Sequence, residues 1–191
     1  MWVEIHPTST PVEEQAIVYD ITPKPPEEFE VRVVIFDTVD VICMDAEGTS
    51  DVYARAFFDS REEVHETDTH YRCQNGKASF NYRLIYRVKH PRKDYKMTLQ
   101  LYDRDFFKSN DIIGDCQIDL RAAFEDCSLS GRPLGINKTY FNAYLKEKGY
   151  KFTYKDESSF YVSIMGKDDK TGKIVENGKV RIQIDLFPKA L

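Results

Sequence analysis

Between Lys96 and Tyr102 apolar and polar residues alternate without a break, and Met97, Leu99 and Leu101 fall on one side. Successive side chains of a strand point to opposite faces, so this segment reads as a strand with one buried face. Seven other stretches read as strands: Phe29–Phe36, Asp51–Phe58, Val64–Arg72 (a polar alternation that suits an edge or solvent-facing strand), Ala78–Tyr86, Ile112–Leu120, Phe160–Gly166 and Lys179–Phe187. They are rich in Val, Ile and aromatic residues, which suit a pleated surface. Turn residues separate them, including Asn75-Gly76 before the fourth. Short strands at this spacing predict an all-β, antiparallel, eight-stranded β-sandwich.

Two regions interrupt that reading. Residues 1–28 carry Pro7, Pro11, Pro23, Pro25 and Pro26, which favour extended backbone, and read as a proline-rich lead-in with "MWVEI" as a possible short strand. The main domain is then 29–191. It contains an insertion at about 121–158, where "LRAAFED" and "TYFNAYLKEKG" are helix-like and Gly149 is a plausible terminator. The fold expected is a sandwich with a helical insertion before the last strands. "KDDKTGKIVENGK" reads as a charged hairpin or loop.

Composition excludes several classes. The chain has 191 residues, 41% of them hydrophobic, enough for one core. Its 32 acidic and 27 basic residues leave a net charge of -5, the opposite of a nucleic-acid binder. No apolar run approaches the roughly 18 residues of a membrane-spanning helix. Met1 to Pro11 lacks the apolar run of a signal peptide. Cys43, Cys73, Cys116 and Cys127 match no zinc spacing and read as reduced thiols. His65, His70 and Cys73 read as polar strand residues, and Lys89, His90, Arg92, Lys93 and Lys96 as a basic cluster between two strands, either a solvated loop or a contact for phosphoinositide headgroups. Tyr140, Phe141, Tyr144 and Tyr150 read as aromatic cover for the sandwich.

The chemistry lies in aspartates placed where strands end. Asp45 and Asp51 flank a loop containing Gly48 and Ser50. Asp103 follows "TLQLY" directly, and Asp105 and Asp111 come two and eight residues later. A spacing of two in a turn lets two carboxylates face one point, and a spacing of six lets a loop leave and return. Calcium takes about six to eight oxygens at roughly 2.3–2.6 Å, and two such loops at one end of a sandwich can supply them.

"MDAEGTSDVY" and "LYDRDFFKSNDIIG" resemble the paired calcium-binding loops of C2 domains. The resemblance implies Ca2+ as the ligand of Asp45, Asp51, Asp103, Asp105 and Asp111, with carbonyl ligands from Met44 and Arg104. It also places Phe107 at a loop tip that inserts into membrane. Val52 departs from the family, which often has proline there, and Lys108 replaces a frequent serine ligand. "FEVRVVIFDTVDVICMD", "SDVYARAFF" and "ETDTHYRCQNGKASFNYRLIY" resemble a late C2 domain of ferlins.

That likeness implies a calcium-dependent phospholipid-binding module acting in vesicle trafficking, exocytosis and membrane fusion. Its partners would be anionic phospholipid membrane and neighbouring C2 domains, not nucleic acid. The excised piece would be a monomer at the cytoplasmic face of membranes, and the parent protein tail-anchored in the vesicle or plasma membrane. The alternative is a protein-interaction or structural C2 domain with a weak or vestigial calcium site. An enzyme is not expected, since five carboxylates converging in exposed loops do not make the two-carboxyl cleft of a glycosidase.

Overall fold

A computed structural model describes Pro7 and residues 25–44, 48–59, 63–105, 109–136, 152–154, 158–168 and 170–189. All but one of the expected strands form, β1, β5, β6, β10 and β11 with longer bounds. Strand β1 is Glu27–Val39, β2 Ser50–Phe57, β3 Val64–Glu66, β4 His70–Cys73 and β5 Ser79–His90. Then come β6 Lys96–Asp103, β7 Asp111–Asp119, helix α1 Arg121–Ser130, and the short pairings β8 Leu134–Gly135 and β9 Phe152–Tyr154. Strands β10 Phe160–Lys167 and β11 Ile174–Pro188 finish the order.

Hydrogen bonding runs β3-β2-β6-β7-β10-β11-β1-β5, all antiparallel, with β4 on β2, β8 on β11 and β9 on β10. Strands β7 and β10 meet at one registered pair, Asp115 and Met165. There the path folds over into two layers. Gly114 and Gly166 permit the approach: a Cβ on Gly114 would lie 2.5 Å from the Met165 carbonyl oxygen, and one on Gly166 2.3 Å from that of Ile113. Across the layers, the Tyr86 hydroxyl of β5 donates to the Ala56 carbonyl of β2 at 2.7 Å.

The core lies between the layers and is built from the inward half of each alternation. Phe29, Val31, Val33 and Ile35 of β1 face Met97, Leu99 and Leu101 of β6, all fully buried. Helix α1 closes the end of the sandwich opposite the candidate aspartates. It inserts Ala123, Phe124 and Cys127, and Phe124 meets Phe29 edge-on with centroids 5.3 Å apart. The second expected helix, "TYFNAYLKEKG", and the "MWVEI" strand lie outside the described residues. At the same end β1 starts beside the finish of β11: the Lys189 N–H donates to the Glu28 carbonyl at 2.9 Å.

Two expectations change. Val64–Arg72 is not one strand but two, because Thr67 turns inward and is 6% exposed. Its hydroxyl accepts the Ala54 N–H at 3.0 Å, and its own N–H donates to the Ala54 carbonyl at 2.9 Å. A side chain thus takes a place that a ladder carbonyl would have held. The charged segment near the C-terminus is a hairpin, as expected, but β11 begins within it at Ile174. The cysteines differ in setting: Cys43 is exposed, while burial pushes the Cys73, Cys116 and Cys127 thiols up.

Removing the Thr67 hydroxyl in Thr67→Val leaves the Ala54 N–H buried without an acceptor, a loss of about 1–3 kcal/mol. Urea unfolding will show a lower midpoint for Thr67→Val and a near-normal one for Thr67→Ser. Thiol labelling at neutral pH will modify Cys43 quickly, and the other three cysteines only after unfolding.

Candidate metal centre

Three strands bring aspartates to one edge. In the β2/β6 ladder Val52 stands opposite Asp103, and in the β6/β7 ladder Asp103 stands opposite Asp111. Neighbouring strands lie about 4.8 Å apart, so Asp51, Asp103 and Asp111 form a short row across the sandwich rim. The row follows from the alternation itself. Asp103 takes the next inward position after Met97, Leu99 and Leu101 and is only 2% exposed.

A buried carboxylate needs polar partners. The Asp103 Oδ1 accepts the Asp51 N–H at 2.6 Å. Next to it, the Arg104 N–H donates to the Asp51 carbonyl at 2.9 Å. Residues 103 and 104 therefore grip both backbone groups of Asp51. The Asp51 Oδ1 in turn accepts the Arg72 N–H at 2.8 Å, joining β4 to the same point.

Each loop is also closed at its base. The Met44 N–H donates to Ser50 Oγ at 2.8 Å, which ties the two ends of the first loop together. In the second loop the Asp105 N–H donates to Asn110 Oδ1 at 3.0 Å, and Asn110 Nδ2 donates to the Tyr53 hydroxyl at 2.9 Å. Tyr53 stacks on Tyr102 at 5.5 Å and carries the Arg104 guanidinium 4.4 Å from its ring centre. Burial pushes the Tyr53 phenol up, against the lowering effect of its bond from Asn110.

Of the residues expected to bind calcium, Asp51, Asp103, Asp105, Asp111, Met44 and Arg104 are described and lie at this edge. Asp45 and Phe107 lie outside the described residues. Among the described residues no three His, Cys, Asp or Glu side chains come together as a metal cluster. His65, His70 and Cys73 accordingly make none. The donor chemistry nevertheless fits a hard cation, since Asp51, Asp103, Asp105 and Asp111 offer carboxylate oxygens at this edge. Sequence reasoning placed Ser50 in the first loop without its bond to Met44, and missed Tyr53, Arg72 and Asn110. Only Asn110 gave a signal, as an asparagine closing a loop just before a strand.

The C2 domain family model matches residues 15–132, and the chain belongs to the C2 family. Its relatives include ferlins. Human myoferlin is 27% identical over 98% of this chain, and Ferlin 1 of Toxoplasma gondii 31% identical over 56% of it. The chain spans about a tenth of the length of the ferlins it matches, 10% and 8% for these two. A C2 domain of plant Extended Synaptotagmin 1 superposes with a TM-score of 0.55 at 12% identity, covering 88% of this chain and 100% of that one. Human GIVD cytosolic phospholipase A2 gives 0.55 at 11% identity, over 87% of this chain and 18% of the enzyme. These two likenesses establish the sandwich.

Asn110→Ala removes the tie between the second loop and Tyr53. The expected result is a loss of about 1 kcal/mol in stability. Hydrogen exchange will become faster at the Asp105 amide, with no change at the Ala54 amide across the sheet.

Proposed function

We propose that this domain is a calcium-dependent module that docks on anionic phospholipid, acting within a ferlin-like protein in vesicle trafficking and membrane fusion. The observation that carries the reading is the clasp on Asp51, which brings two acidic loops to one rim. The acidic excess of the chain is five, the number of aspartates in those loops. Carboxylates gathered at one rim repel each other and anionic lipid alike. Asp45, Asp51, Asp103, Asp105 and Asp111 would hold calcium, with the Met44 and Arg104 carbonyls. Bound there, calcium would supply positive charge and sites for lipid phosphate oxygens. The cytoplasmic leaflet sits at about -30 mV, so a rim that loses its negative charge is no longer repelled. Phe107 would then enter the interface, where burying one ring contributes about 1.5–3 kcal/mol.

The whole parent protein is proposed to be tail-anchored, with this domain at the cytoplasmic face and other C2 domains beside it. No helix among the described residues is long and apolar enough to cross a membrane. A second reading, a protein-interaction domain with a weak calcium site, is favoured by the lack of a three-residue metal cluster among the described residues.

Sedimentation with phosphatidylserine vesicles separates the two. Calcium should move the wild-type domain into the pellet, and Asp105→Asn with Asp111→Asn should require at least tenfold more calcium. The melting temperature of the wild type should rise with calcium concentration, because the ion binds the folded state. Equal sedimentation with calcium and with chelator rejects the reading. Asp103→Asn is the less informative variant, since Asp103 also holds the Asp51 backbone.

A further inference from the structure

The strand directions place a third connection at the aspartate rim. Strand β7 starts there at Asp111, and β10 runs antiparallel to it and ends at Lys167. The hairpin from β10 to β11, residues 168–173, therefore projects from the same end as the two acidic loops. This hairpin is built to hold its shape. The Asp168 N–H donates to the Lys173 carbonyl at 2.9 Å, and the Gly172 N–H to the Asp168 carbonyl at 2.7 Å. Asp168 Oδ1 accepts the N–H groups of Lys170 and Thr171 at 2.7 and 2.9 Å. Those two donors hold the Asp168 carboxyl below its ordinary range and aim its charge into the turn. Gly172 takes φ +67, the left-handed conformation the turn requires. Among the described residues of the hairpin, Lys167, Lys170, Thr171, Gly172 and Lys173 are exposed, three of them lysines.

Exposed apolar residues gather at the same end. Among the described residues the large hydrophobic side chains that stand exposed are Ile42 (41%), Tyr71 (57%), Ile85 (43%), Ile112 (49%), Leu129 (87%) and Ile174 (66%). Four of them, Ile42, Tyr71, Ile112 and Ile174, belong to segments at this rim. Ile174 opens β11 opposite Lys167, and Ile112 is the second residue of β7. Asn177 ties their neighbourhoods together: its Nδ2 donates to the Ile113 carbonyl at 2.7 Å, and its own carbonyl accepts the Ile42 N–H at 3.1 Å. Apolar side chains beside fixed lysines are the composition of a surface that meets a negatively charged apolar boundary.

We infer that the 168–173 hairpin, through Lys170, Lys173 and Ile174, is a further membrane contact that binds anionic lipid without using calcium. The inference rests on the membrane-docking reading above and deepens it. The lysines meet headgroup phosphate while the acidic loops await their ion, and Ile174 reaches the interface beside them. Two contacts of opposite charge at one rim also define the tilt of the domain on the surface. Calcium then acts on one of them, and ionic strength on the other.

The test uses vesicles of phosphatidylserine and phosphatidylcholine at low salt, once with chelator and once with saturating calcium, and compares wild type, Lys170→Gln with Lys173→Gln, and Ile174→Ser; the deficit is expected in both conditions. A basic side chain near such a surface contributes about fivefold to partitioning, so the double variant should partition roughly 25-fold less. The deficit should shrink in high salt and be missing on pure phosphatidylcholine. All three positions are exposed, so equal melting temperatures in calcium without lipid are expected. Ile174→Trp in a Trp2→Phe background should show blue-shifted emission on vesicles and quenching by brominated acyl chains. Wild-type partitioning by the double variant, with unshifted Trp emission, overturns the hairpin contact while the calcium-dependent reading stands. A wild-type chain that binds no vesicle in any condition overturns both.

Discussion

The rim of this sandwich depends on one hydrogen bond, from the Asp51 amide to the buried carboxylate of Asp103. Residue 51 is the second of one strand and residue 103 ends another, 52 positions apart along the chain. An anion on the inward face of a strand would be unfavourable if it met only Leu and Met. Placed one step past the last apolar pair, it meets backbone donors instead. The bond therefore does two things: it makes Asp103 tolerable where it sits, and it locks together two loops that the β2/β6 ladder sets side by side. The adjoining bond from Arg104 to the Asp51 carbonyl makes the contact two-sided, so that neither loop can slide without losing both.

Support extends outward from that pair. Ser50 closes the first loop on Met44, and Asn110 closes the second on Asp105 while reaching Tyr53. Tyr53 is held between Tyr102 and the Arg104 guanidinium. Each loop is thus anchored by its own side chains before any ligand arrives. Among the described residues, Asp51, Asp103, Asp105 and Asp111 stand at one rim, each on or beside a strand of the same sheet.

Much of this was legible because period-two alternation is a direct consequence of strand geometry. It marked β1, β6 and β7 to within a few residues and put Asp103 and Asp111 at strand ends. Thr67 was not legible. Nothing in "ETDTHY" tells a hydroxyl that faces solvent from one that turns inward to take the Ala54 amide, and that choice split one expected strand in two. Asn110 and Arg72 escaped for a related reason: they act through partners far away in sequence, Tyr53 and Asp51, and no local pattern records such pairs. The family resemblance named the ligand positions but not the clasp that assembles them.

The meeting of β1 and β11, with the Lys189 amide on the Glu28 carbonyl, has a mechanical consequence. Both ends of the folded body leave from one corner, the far corner from the acidic rim. Chain attached on either side would let the domain hang as a pendant, with its rim at full reach. Tension applied through that corner would act across the β1/β11 ladder and open it like a zipper, one pair after another, instead of shearing many bonds together.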